Sequence, residues 1–155
     1  MLSAAEMMRA NLFHRPYGLT STNTNFIREV KTIPKETTDN HLTEALEAAL
    51  DKKAQDIVIL DLDEVCSFTD HFIICTGTSS RHNQAIAEGI DERLRRLGAR
   101  PLHMEGEKEG EWILLDYIDF VVHIFTVRAR EFYDLERLWR AGKRRRVNEL
   151  IGQRA

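Results

Sequence analysis

Apolar and polar positions recur with two different periods along this chain, and the changes of period mark out its elements. From Asp39 to Lys53, the residues Leu42, Ala45, Leu46, Ala49 and Leu50 share one helical face, the pattern of an amphipathic helix packed on a core. Asp39 or Asn40 is placed to cap its first N–H groups. Asp56-Ile-Val-Ile-Leu-Asp61 is a β-branched run too short for a helix and reads as a strand. Leu62 to Thr69 is a polar connection, and Asp70-His-Phe-Ile-Ile-Cys-Thr76 is a second strand stopped by Gly77. A helix then runs to Leu97, with Ser79 or Ser80 as N-cap, Ile86, Ile90, Leu94 and Leu97 as its buried stripe, and Gly98 closing it. Pro101 to Met104 is expected as a short strand parallel to the second, since a helix separates them.

The longest apolar stretch is Glu111 to Thr126, which divides into two strands in immediate succession. Alternation sets Trp112, Leu114 and Asp116 on one face and Ile113 and Leu115 on the other. A face ending in Asp is expected not to be the fully buried one, leaving Trp112 partly exposed. A last helix spans Ala129 to Ala141, with Phe132, Leu135, Leu138 and Trp139 as its buried stripe and Tyr133, Arg137 and Arg140 on the flanks. The order α-β-β-α-β-β-β-α predicts an α/β domain with a mixed sheet of about five strands flanked by helices.

Composition alters this picture little. With 155 residues, 43% hydrophobic and 30% charged, the chain fits one ordinary domain. Residues 1–38, rich in Asn, Thr, Ser and Pro, read as a flexible N-terminal extension. Residues 39–142 form the domain, and residues 143–155 a basic C-terminal tail. The net charge of −3 excludes a general polycation. Charge is nonetheless segregated: Glu105, Glu107, Glu109 and Glu111 cluster before the central strands, and Lys143, Arg144, Arg145 and Arg146 follow the last helix. Two cysteines, Cys66 and Cys75, exclude a disulfide scaffold and make a reducing cytoplasm the default. No apolar run approaches the roughly 20 residues that span a bilayer. Residues 1–15 lack the apolar core of a secretory signal. Their Arg, Ser and Thr leave an organellar transit segment as the alternative.

Candidate chemistry is sparse. Gly77-Thr-Ser-Ser80 could turn backbone N–H groups toward an anion. It lacks the Lys and flanking Gly of a phosphate-binding loop, and a glycine turn before a capped helix is the simpler account. Asp61, Asp63, Asp116 and Asp119 invite a two-metal reading. In nucleotidyltransferases, however, the acidic pair follows the Gly-Ser turn, and here Asp61 and Asp63 precede it. The six histidines do not cluster, and no Cys/His pair has zinc spacing. A Cys–His catalytic arrangement stays open as a minor alternative. Trp112 is either packed beneath a helix or an exposed interface anchor. The 143–146 run is either a solvated helix end or a candidate RNA contact.

Several of these motifs resemble one family. Cys75-Thr-Gly-Thr-Ser-Ser-Arg-His82, Glu105-Gly106, Trp112-Ile-Leu-Leu-Asp116, Asp119-Phe-Val-Val-His-Ile-Phe125 and Tyr133-Asp-Leu-Glu-Arg-Leu-Trp139 are similar, in order and spacing, to the ribosomal silencing factors, also called RsfS or iojap. The resemblance covers residues 40–140. It implies nucleotidyltransferase-like topology without catalytic residues or a cofactor, often as a homodimer. It further implies binding to the large ribosomal subunit through ribosomal protein number fourteen. Such binding blocks joining of the small subunit and represses translation when nutrients are scarce. Carried over by position, Trp112, Asp116 and Tyr117 fall on the ribosomal-protein contact surface, and Tyr133 beside it. Gly77 to Ser80 and Glu105-Gly106 read as structural. The chain departs from the family pattern in residues 1–38, in the basic tail, and in Ile118, where the family usually has Gly. A two-residue turn Tyr117-Ile118 would demand positive φ, which is costly for a β-branched residue. The turn is thus either of another type or strained. The readings from other classes are an RNA- or nucleotide-binding ribosome-biogenesis factor and a vestigial nucleotidyltransferase.

Overall fold

The run Phe120–Thr126, apolar in nearly every position, becomes the middle of a six-stranded sheet because only a strand covered on both faces needs apolar side chains on both. In a computed structural model, which describes residues 34–66 and 68–152, the elements are α1 (Lys35–Asp51), β1 (Gln55–Asp61), β2 (His71–Gly77), α2 (Ser80–Arg96), β3 (His103–Glu105), β4 (Trp112–Asp116), β5 (Phe120–Thr126), α3 (Val127–Tyr133), α4 (Leu135–Leu138), β6 (Lys143–Arg145) and α5 (Val147–Ile151). Residues 1–33, most of the expected extension, lie outside the described residues. The strand order is β3-β4-β5-β2-β1-β6. Among the described residues β2 and β5 are the one pair of neighbouring strands that run parallel, in register from His71↔Phe120 to Gly77↔Thr126.

Period-two alternation divides the core between the two faces of the sheet. Ile59, Ile73, Cys75, Ile113, Leu115, Val122 and Ile124 point toward α1 and α2. Leu60, Phe72, Ile74, Val121 and Phe125 point the other way, where Leu62, Cys66, Ala129 and Leu135 meet them. The two covering helices are tied together by Arg93, whose guanidinium donates to Glu44 (2.6 Å), Glu47 (2.5 Å) and Asp51 (2.9 Å) of α1.

Several expectations shift. α1 starts at Lys35 rather than Asp39, and Pro34 stands at its N-cap without a side-chain cap bond. The Pro34 carbonyl accepts from Thr37 (2.8 Å) and Thr38 (3.1 Å), and proline's fixed φ suits that position. Ser79 is the cap of α2, accepting from the His82 N–H at 3.0 Å. Leu97 is 44% exposed, whereas Asn83 is fully buried on the stripe of that helix. β3 runs in the same direction as β2, as expected, but is not its neighbour: it pairs antiparallel with β4 at the sheet edge, and the parallel partner of β2 is β5. The basic run is not a tail: Lys143–Arg145 pairs antiparallel with β1 as the sixth strand, and Leu150 of α5 joins the core. Charge hid this strand from its sequence.

The β4–β5 connection is a two-residue loop, Ile118-Asp119 rather than Tyr117-Ile118, because the Tyr117 N–H donates to the Phe120 carbonyl at 2.9 Å. The Asp119 N–H donates to the Tyr117 carbonyl at 3.0 Å across Ile118, whose φ is 77°. This is a γ-turn with positive central φ, a rare and strained form. The Asp116 carboxylate supports it by accepting from the Ile118 N–H at 2.8 Å. The turn is therefore both of another type and strained.

Candidate functional site

On the face away from α1 and α2, β4 begins with Trp112 at the margin of the apolar cluster. Its indole lies 4.8 Å from the Phe125 ring and 4.8 Å from Tyr133, and Phe132 stands edge-on to Tyr133 at 5.0 Å. The row grades outward from buried Phe125, through half-buried Trp112 and Tyr133, to Phe132 at 78% exposure. Tyr, Trp and Phe are the residue types enriched at protein interfaces, and here three of them adjoin at the surface.

The helical stripe predicts Phe132 inside, and the structure corrects this. The expected helix 129–141 breaks at Asp134, which adopts left-handed φ 43°, ψ 54°. Asp tolerates this conformation better than most residues. The break separates α3 from α4 and redirects the stripe: Leu135 is buried and Trp139 packs edge-on against Phe68 and Phe72, while Phe132 and Leu138 (53%) face out. Arg130 braces the break by donating to the Asp56 carbonyl (2.6 Å), Thr76 Oγ1 (2.8 Å) and Glu136. Helical periodicity could not foresee this; an Asp within the stripe was the only signal.

Beneath Trp112 lies His123, fully buried on β5. The indole Nε1–H donates to its Nδ1 at 3.1 Å. An indole can only donate, so Nδ1 accepts and the imidazole proton sits on Nε2. Burial pushes the His123 pKa down to about 3, which keeps the ring neutral. The only polar atom of the Trp112 side chain is thus directed inward.

The other expected contact residues are placed differently. Asp116 is buried at the turn it caps, and Tyr117 is 6% exposed on the helix-covered side, stacked on Phe120 at 5.0 Å. Burial, reinforced by the nearby Asp91 carboxylate, raises the Tyr117 phenol above its ordinary range. The fold thus brings Trp112 and Tyr133 together, adds Phe132, and withdraws Asp116 and Tyr117 from the surface. The basic run also divides. Arg144 reaches Glu136 at 3.3 Å, Arg145 lies 3.7 Å from Asp61, and Lys143 and Arg146 are exposed. Strand alternation sends neighbouring basic residues to opposite faces.

Among the described residues no cluster of three or more His, Cys, Asp or Glu could hold a metal. Asp61 accepts from His71 at 2.7 Å. The Cys75 thiol is pushed up to about 12 by burial, and the sheet separates it from His123 on the opposite face. At the Gly77 turn, a Cβ would lie 2.1 Å from Asn83 Oδ1. The glycine thereby admits Asn83, which donates to the Gly110 carbonyl at 2.8 Å and docks the acidic loop. That is a packing role. Among the described residues, no helix is long and apolar enough to cross a membrane.

Comparison with known proteins identifies the family. A family model described as "Ribosomal silencing factor during starvation" matches residues 35–155. The ribosomal silencing factor RsfS of Bacillus subtilis is 41% identical over 95 residues, 61% of this chain and 80% of that protein. A mouse protein named for mitochondrial assembly of the ribosomal large subunit is 31% identical over 91 residues, 57% of this chain and 40% of that protein. A crystal structure from Chromobacterium violaceum superposes with a TM-score of 0.63 at 36% identity, covering 64% of this chain and 83% of that one. The bacterial relatives are named as silencing factors and not as enzymes. The chain belongs to the ribosomal silencing factor (RsfS) family.

Proposed function

We propose that this protein binds the large ribosomal subunit through ribosomal protein number fourteen and so bars the small subunit, lowering translation when nutrients are limiting. The observation that carries this reading is the row Trp112–Tyr133–Phe132, which runs from the start of β4 onto the end of α3 and ends in a residue 78% exposed. Steric occlusion needs an anchored surface and no chemistry. A further contribution from ribosomal RNA falls to Lys143, Arg144 and Arg146, with Arg145 held back by Asp61. The protein acts as a monomer or a homodimer, and acts in the cytoplasm. The mitochondrial relative motivates the organellar alternative, which localisation of the tagged chain with and without residues 1–38 decides.

Gradient sedimentation with purified ribosomal subunits tests the reading. The parent protein is expected to co-migrate with large subunits and to deplete joined ribosomes. Phe132→Ser removes an exposed ring, so the fold should persist. An interface hot spot contributes about 2 kcal/mol or more, so affinity should fall by about thirtyfold. Unchanged co-migration of this variant would remove the aromatic row from the interface.

A further inference from the structure

We infer that His123 is a positioning residue for docking: it holds the Trp112 indole by its N–H, so that only the apolar ring is offered to the partner. This inference rests on the proposed docking through the Trp112 face. Trp112 is half-buried at the start of β4, where a side chain at a sheet margin has rotamers to choose from. His123 Nδ1, 3.1 Å from the indole nitrogen, selects one of them. The imidazole is itself fixed by Phe72, edge-on at 4.6 Å, and by Phe125, stacked at 6.2 Å. Its backbone stands in register between Ile74 of β2 and Leu114 of β4. The acceptor therefore cannot follow the indole if it swings outward.

The arrangement defines the chemistry of the partner. An exposed interfacial tryptophan commonly donates its N–H to a carbonyl across the interface. Here that donor is consumed inside the protein. The outer ring, beside Tyr133 and Phe132, suits an apolar side chain on a protein surface and offers nothing to a hydrogen-bond acceptor.

Three variants test this in the full chain: His123→Leu, which removes the acceptor, His123→Asn, whose Oδ1 replaces Nδ1, and Trp112→Phe, which removes the donor but keeps a ring. Binding to purified large subunits is titrated, and the indole N–H resonance is followed by NMR. His123→Leu is expected to shift that resonance and weaken binding by about fivefold, the size of one net hydrogen bond. His123→Asn should restore both. In the Trp112→Phe background, His123→Leu should cost no further affinity. If His123→Leu fails to fold, Trp112→Phe alone should weaken binding by a similar factor. Parental binding by His123→Leu, an equal loss in the Trp112→Phe background, or full binding by Trp112→Phe overturns the inference. If Phe132→Ser also binds as the parent does, the docking reading itself falls, independently of His123.

Discussion

Replacing His123 by Asn should flatten the acid side of the stability profile. The folded protein keeps this imidazole neutral down to about pH 3, against an ordinary value of 6.5. The unfolded chain therefore takes up a proton below about 6.5 that the folded chain refuses, and stability rises with pH across that window. The stabilising contribution is complete above 6.5 and is lost as pH falls toward 3. Each pH unit inside the window is worth about 1.4 kcal/mol. Acidification from pH 7.5 to 5.0 should therefore cost the parent about 2 kcal/mol through this residue alone. Water does not screen this ring, because His123 is 0% exposed. Urea unfolding at pH 7.5, 6.5, 5.5 and 5.0 reads the effect as the difference between parent and His123→Asn. Asp119 has the opposite sign: burial and the Asp70 carboxylate raise its pKa, so its contribution is lost as pH rises. It is present in both proteins and cancels in the difference. Parallel curves would refute the reasoning and mean that water or a rearrangement satisfies the charged ring.

Other substitutions probe the turn, the loop and the basic edge. Ile118→Gly relieves a left-handed β-branched residue, worth about 1–2 kcal/mol, against about 0.5–1 kcal/mol of extra unfolded-state entropy. Chemical denaturation should show a gain of up to about 1 kcal/mol, and a loss would mean that the half-buried side chain outweighs the strain. Gly106 has φ 77° and a space where a Cβ would lie 1.9 Å from the Trp112 carbonyl. Gly106→Ala should therefore destabilise by more than about 2 kcal/mol, and a melting temperature equal to the parent's would contradict the close approach. Lys143→Ala with Arg146→Ala should lower the salt dependence of ribosome affinity by about one for each phosphate that is no longer neutralised. An unchanged slope takes this edge out of the mechanism. These point changes are preferable to truncation, since removing residues 143–155 would also remove β6 and the buried Leu150.

Local periodicity determined most of the fold. The strands at Gln55–Asp61, His71–Gly77, Trp112–Asp116 and Phe120–Thr126 and the helices α1 and α2 are legible because each buries one face or both, and burial writes a period of two or of 3.6 into the residues. The family was legible for a related reason: its motifs are short, ordered and close to the elements they start or end. Other features were settled by partners distant in sequence. The sixth strand is charged along its length and exists because β1 offers it an edge. The parallel pairing of β2 with β5 depends on how the intervening elements wrap, which no window of the sequence contains. Phe132 is turned outward by one left-handed residue at Asp134, braced by Arg130 reaching back to Asp56 and Thr76. Trp112 and His123 meet only because register sets β4 against β5. Residue types and spacings thus decided which segments are strands and helices, whereas the aromatic face was decided by a backbone break and an inter-strand hydrogen bond, both products of tertiary packing.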